Sequence, residues 1–120
     1  LGWLDAAAPQ GGLDEIAVAD RLYAFRGEGE HYRGPSFDTI AGAGPNGAIV
    51  HYRVNECTNA RLADGTLYLV DSGAQYRDGT TDITRTVAIG NPPALACRDF
   101  TLVLKGHIAI ATARAHSAGV

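Results

Sequence analysis

Between Leu13 and about Glu28, Ile16, Ala19 and Tyr23 recur at helical spacing, and Asp14 and Glu15 fall in the first turn, where the helix dipole favours acids. This segment is predicted to be a helix. Upstream, the breaker cluster Ala8-Pro9-Gln10-Gly11-Gly12 closes whatever helix Trp3 and Leu4 belong to, and downstream Gly27, Gly29 and Gly34-Pro35 end the predicted helix. Ser36 to Ala43 reads as a strand, Gly42 to Gly47 as a glycine-rich loop, Ala48 to Val54 as a second strand and Asn55 to Gly65 as a polar connection. Thr66 to Tyr76 carries the unbroken apolar run Leu67-Tyr68-Leu69-Val70, the mark of a strand buried on both faces. Asp78-Gly79 is a hairpin turn signal, and Thr80 to Ile89 is the returning strand, alternating with β-branched residues. Gly90-Asn91-Pro92-Pro93 stops it. Pro93 suits the first turn of a helix, which then runs from about Ala94 to Ala115.

The chain has 120 residues, enough for one domain, and 46% of them are hydrophobic, enough to build a core. A formal charge of -3 without long runs of one sign points to neither nucleic acid nor an anionic membrane as a partner. No stretch approaches the roughly 20 apolar residues that span a bilayer. The N-terminus lacks the basic start and apolar core of a secretion signal, and Cys57 and Cys97 allow one disulfide but read rather as two inert thiols of a reducing, cytoplasmic setting. With no Met, an apolar Leu-Gly-Trp-Leu start and an Ala-rich helical pattern at its end, the sequence reads as an excerpt of a longer protein.

Asp71 closes the apolar run, where a carboxylate is costly to desolvate unless it is paired or bound to a cation. Asp82 lies across the hairpin, and the register decides whether the two cooperate. A turn centred between Asp78 and Gly79 sets Asp71 opposite Thr86, roughly 13 Å along the strand from Asp82 and too far to share a site. Moving the centre back by one residue sets Asp82 opposite Gly73, with Asp71 its diagonal neighbour at about 7–8 Å between α-carbons. Two metals roughly 3.5–4 Å apart fit between carboxylates so placed. The second register is predicted, with a four-residue loop Tyr76-Arg77-Asp78-Gly79, Gly79 left-handed, and the small residues Ser72, Gly73 and Ala74 leaving room for ions. Taken on spacing alone, Asp71 reads equally as a strand-end cap and Asp82 as a solvated hairpin residue. The run after Asp71 lacks the alternating oxygens of a calcium loop, and the loop Gly42 to Gly47 lacks the Gly-Lys-Ser/Thr ending of a phosphate loop.

The run from Asp71 through Asp78-Gly79-Thr80-Thr81-Asp82 to Thr86 closely resembles the metal-binding hairpin of Xaa-Pro aminopeptidases (aminopeptidase P), of peptidase family M24. Gly44-Pro45-Asn46-Gly47-Ala48-Ile49-Val50-His51-Tyr52 is similar to that family's active-site loop and strand; Gly34 to Ile40 and Leu104 to Ala109 also read as family segments. The resemblance covers about residues 13–116 and implies the N-terminal half of a pita-bread catalytic domain. Residues 1–12 are then the cut end of a preceding helix and linker, and residues 13–120 the half-domain. The implied fold is α/β (α+β), a curved, mainly antiparallel sheet with helices on its outer face. The resemblance further implies Asp71 as chelator of one of two divalent metals, usually manganese, and Asp82 as the carboxylate bridging both. His51 would be the catalytic histidine beside them, and metal-activated water would attack the carbonyl that precedes proline in a peptide substrate.

Such a site needs five ligands, and the remaining histidine and two glutamates belong to a second half of the domain, with its His-Gly-x-Gly-His segment, that this sequence does not contain. The 120-residue chain alone is therefore expected to be inactive, and its exposed inner face to self-associate as a homo-oligomer. His107 reads as a locally packed helix residue, His31 as solvated, His116 as a residue of the fraying end, Arg85 as structural and Trp3 as a packing residue. Two other readings of the fold are a non-catalytic peptide- or protein-binding module and a creatinase-type amidohydrolase; the intact Asp71, Asp82 and His51 favour the aminopeptidase.

Overall fold

A computed structural model describes residues 1–114. The chain opens with α1 (Gly2–Ala7) and a 3-10 turn over Ala8–Gln10, then α2 (Glu15–Gly27). The Asp14 side chain caps α2 by accepting from the Ala17 amide at 2.8 Å, a bond that stabilises a helix start by about 1 kcal/mol. The predicted helix is therefore present. Six strands follow: β1 (Tyr32–Pro35), β2 (Ile40–Ala43), β3 (Leu67–Ser72), β4 (Ala74–Tyr76), β5 (Gly79–Thr80) and β6 (Ile83–Ala88), before α3 (Ala94–Thr112).

The strands form two antiparallel sheets, ordered β1-β4-β5 and β2-β3-β6. One long hairpin runs through both. Its outgoing arm, β3 and β4, is interrupted only at Gly73, and its returning arm, β5 and β6, only at Thr81 and Asp82. The α+β architecture with antiparallel sheets matches the expectation. The strand expected over Ser36 to Ala43 is present only as β2, Ile40–Ala43, and residues 36–39 are irregular. Ahead of it, β1 lies over Tyr32–Pro35, in the stretch read as the end of the helix, at a sheet edge where the missing donor of Pro35 is tolerated.

The core collects Leu4 from α1, Val18 from α2, Ala41 and Ala43 from β2, Tyr68 and Val70 from β3, with Leu62 and Ile89. Burying a side chain such as Leu4 or Val18 stabilises the fold by about 1.5–3 kcal/mol. Trp3 packs edge-on against Phe25 at 6.1 Å, and the Arg21 guanidinium covers the Phe25 ring at 4.2 Å. The expectation that β3 is buried on both faces is corrected. Tyr68, Val70 and Ser72 are buried, whereas Leu67, Leu69 and Asp71 on the other face are half-exposed, because α1 and α2 cover one face only. On the half-exposed side, Leu67, Thr84 and Thr86 line an open groove of about 880 Å³ whose other wall is α3, with Phe100 and Leu104. Cys57 and Cys97 are free and exposed.

Candidate metal centre

Asp71 pairs with Thr84 and Ser72 with Ile83 on one side of the break, and Gln75 with Thr80 on the other. The same register holds on both sides, so Asp82 falls opposite Gly73 and Asp71 is its diagonal neighbour. That is the register expected from the sequence. The turn is tighter than expected: Tyr76 pairs with Gly79, only Arg77 and Asp78 lie between them, and Gly79 is not left-handed. The extra pair is supported from the neighbouring strand, where the Arg77 amide donates to the His31 carbonyl at 3.0 Å.

Gly73 marks the break in the outgoing arm. A β-carbon there would stand 2.0 Å from the Thr81 carbonyl oxygen and 2.2 Å from Ser36 Oγ, so no other residue fits without displacing backbone. Thr81 bridges the break: its hydroxyl accepts from the Ala74 amide at 3.0 Å and from the Arg26 guanidinium at 3.1 Å. The same guanidinium donates to the Ser72 carbonyl at 3.0 Å, tying α2 to the break.

Asp71 lies on the half-exposed face of β3. Its Oδ1 is buried and has no hydrogen-bond partner among the described residues. A buried carboxylate oxygen left without a donor costs free energy that a bound cation would offset, and two hard carboxylates suit an oxygen-seeking divalent ion. The residues present thus fit a metal. Asp82 is exposed. Among the described residues no three His, Cys, Asp or Glu side chains converge as a closed ligand set.

His51 is exposed and lies in a turn, not on the expected strand Ala48 to Val54. That strand is replaced by a 3-10 turn over Gly44–Ala48 and a second turn closed by the Tyr52 amide donating to the Ile49 carbonyl at 3.2 Å. The cause is tertiary. Glu15, fully buried, draws the Ala43 amide (2.6 Å), Asn46 Nδ2 (3.0 Å), the Tyr52 hydroxyl (3.0 Å) and the Ala60 amide (3.0 Å) onto its carboxylate, folding the segment back. Gly42 permits the return: a β-carbon there would meet Gly47 Cα at 2.7 Å. From the sequence, Glu15 carried only the signal of a first-turn acid, and its hub role was missed.

The other histidines sit apart from the aspartates. His107 is exposed on α3 and lines the apolar groove, His31 is exposed beside β1, and His116 lies outside the described residues. Arg85 pairs with Val70, placing it on the opposite face from Asp71, and donates to the Thr84 carbonyl at 2.6 Å.

An antiparallel hairpin with a carboxylate on each arm, one of them carrying a buried oxygen without a partner among the described residues, is a candidate metal centre. The family model Peptidase_M24, metallopeptidase family M24, matches residues 3–120, and the chain belongs to that family. It is 54% identical over 101 residues to Aminopeptidase P1 of Lotus japonicus, a match covering 84% of this chain and 15% of that protein. Over 108 residues it is 47% identical to Xaa-Pro aminopeptidase 2 of Sus scrofa, covering 90% and 16%. Among solved structures, the X-prolyl aminopeptidase of Caenorhabditis elegans, a cytosolic enzyme with a di-nuclear active site, superposes with a TM-score of 0.83 at 43% identity, covering 93% of this chain and 18% of that one. The X-Pro aminopeptidase of Thermotoga maritima superposes with a TM-score of 0.72 at 29% identity, covering 86% and 29%. The chain thus spans 15–16% of the length of these curated relatives, and its elements are those of part of a pita-bread domain.

Proposed function

We propose that the protein carrying this chain is a metal-dependent aminopeptidase that releases an N-terminal residue preceding proline, with residues 13–120 as the first half of its catalytic domain. Asp71 and Asp82 serve as ligands of a two-metal centre, with manganese the expected ion, and His51 is the catalytic histidine beside it. The observation that carries the reading is the buried, unpartnered Oδ1 of Asp71, placed diagonally across the hairpin from Asp82. The names of the relatives supply the substrate class, and the cytosolic Caenorhabditis elegans enzyme supports a cytoplasmic setting.

When bound, the metals would supply Lewis-acid polarisation and activated water. The chain's own part is geometric: the register on either side of Gly73 sets Asp82 diagonally across from Asp71, and the turn of residues 49–52 presents an exposed imidazole from a separate element. Two carboxylates are too few to hold two divalent ions, so the 120-residue chain alone has little or no activity.

Full-length protein assayed on Xaa-Pro peptides with and without divalent metal tests the reading. Asp71→Asn and Asp82→Asn are each expected to lower kcat/KM by roughly a hundredfold or more, as loss of a metal ligand does. Metal-independent turnover, or full activity in Asp71→Asn, would sink the proposal.

A further inference from the structure

We infer that Glu15 and Tyr52 together form a positioning device for His51, acting through the turn that carries it; this rests on the reading of His51 just given. His51 is, among the described residues, the one non-glycine residue with positive φ, at 54°. It occupies the third place of the turn Ile49-Val50-His51-Tyr52, where glycine or asparagine is usual, and a side chain held there costs on the order of 1–2 kcal/mol. Such a conformation persists only where the surroundings over-determine it.

Here the determinants lie on both sides of the residue. Asn46 precedes His51 and Tyr52 follows it, and both side chains converge on Glu15. They also bond each other, Asn46 Nδ2 donating to the Tyr52 hydroxyl at 2.9 Å, and both reach the Thr58 carbonyl at 3.1 Å. Burial, reinforced by the neighbouring Glu15, holds the Tyr52 hydroxyl above the ordinary tyrosine range, so it keeps its proton at neutral pH. Glu15 is itself fixed by the Ala43 amide at the end of β2, the strand that pairs Ile40 with Asp71. One carboxylate thus references the turn of His51 to the strand beside the metal ligand. Since a displacement of about 1 Å in a reacting group can cost roughly a hundredfold in rate, this clamp bears on turnover and not merely on folding.

The test uses Tyr52→Phe in the full-length, metal-loaded enzyme, because Glu15→Gln sets an amide NH₂ against a backbone N–H and endangers folding. Activity on an Xaa-Pro peptide is measured for Tyr52→Phe, His51→Ala and the double variant, with circular dichroism verifying the fold. Tyr52→Phe is expected to lower kcat roughly tenfold with KM within about twofold. In the His51→Ala background the same change is expected to alter kcat less than about twofold, because a device that acts through His51 has nothing left to position. Equal losses in both backgrounds, or no loss in Tyr52→Phe, would overturn the positioning role while leaving His51 catalytic. Unchanged kcat in His51→Ala would overturn the catalytic reading of that residue and this inference with it.

Discussion

The Ala74 amide donates to the Thr81 hydroxyl at 3.0 Å, and Thr81 returns its own amide to the Ala74 carbonyl at 2.9 Å. This reciprocal pair carries the register of the hairpin across the interval between the two sheets, where no ladder exists to carry it. The relative placement of Asp71 and Asp82 depends on it, because a slip of one residue would turn Asp82 to the other face.

Thr81→Val removes the hydroxyl but keeps the shape. The buried Ala74 amide and the Arg26 guanidinium then lose an acceptor, and a stability loss of about 1–3 kcal/mol is expected. Urea unfolding would measure it; an unchanged midpoint would show that the bridge is replaceable by solvent.

Gly73→Ala is expected to be far more severe. Its new methyl group would stand 2.0 Å from the Thr81 carbonyl, and that oxygen belongs to backbone already held by Ser36 Oγ at 2.9 Å. A loss on the order of 3 kcal/mol or more should follow, read as poor soluble yield and a lowered Tm. A variant with wild-type Tm would mean that the backbone around Gly73 relaxes freely.

Tyr68→Phe should be tolerated at neutral pH. The Tyr68 hydroxyl is buried with no hydrogen-bond partner among the described residues, so its removal is expected to leave stability unchanged or raise it by about 1 kcal/mol. The pH dependence gives a second measurement. Burial, with a smaller contribution from Glu15, raises the Tyr68 pKa above the ordinary value of 10.0. A raised folded-state pKa contributes stability that is fully present below about pH 10 and is lost as pH climbs toward the folded value. Tyr68→Phe should therefore flatten the alkaline fall in stability; a slope identical to wild type would assign that fall to other groups.

Divalent metal should raise the Tm of the full-length protein, since a ligand that binds only the folded state stabilises it by mass action. Manganese at about a hundred times its dissociation constant would contribute roughly 2.7 kcal/mol. Asp71→Asn should abolish that rise while leaving the metal-free Tm close to wild type or higher, because Oδ1 of Asp71 is unpartnered without a cation. A metal-induced rise that survives the substitution would place the ions elsewhere.

How far the sequence led differs between the two arms of the site. The hairpin was legible because its information is local: the apolar run of β3, the β-branched alternation of β6 and a turn signal between them restrict the register to two choices, and the need to bring Asp71 and Asp82 together selects one. The tighter turn escaped because the pair Tyr76–Gly79 is held partly by β1, a short edge strand masked by Gly34 and Pro35. The surroundings of His51 were legible only as a motif. Ile49 and Val50 have strand-like side chains, yet both are exposed, and the backbone follows the pull of Glu15 from more than thirty positions upstream. Intrinsic preference yields there to a buried hydrogen-bond hub that no periodicity reveals.

None of the residues of α3 is buried, although the helix runs for 19 residues and exposes Leu95, Phe100, Val103 and Ile110. In the 120-residue chain taken by itself, the amide protons of this helix are therefore expected to exchange with deuterium through local opening, while those of β3, locked between β2 and β6, wait for global unfolding.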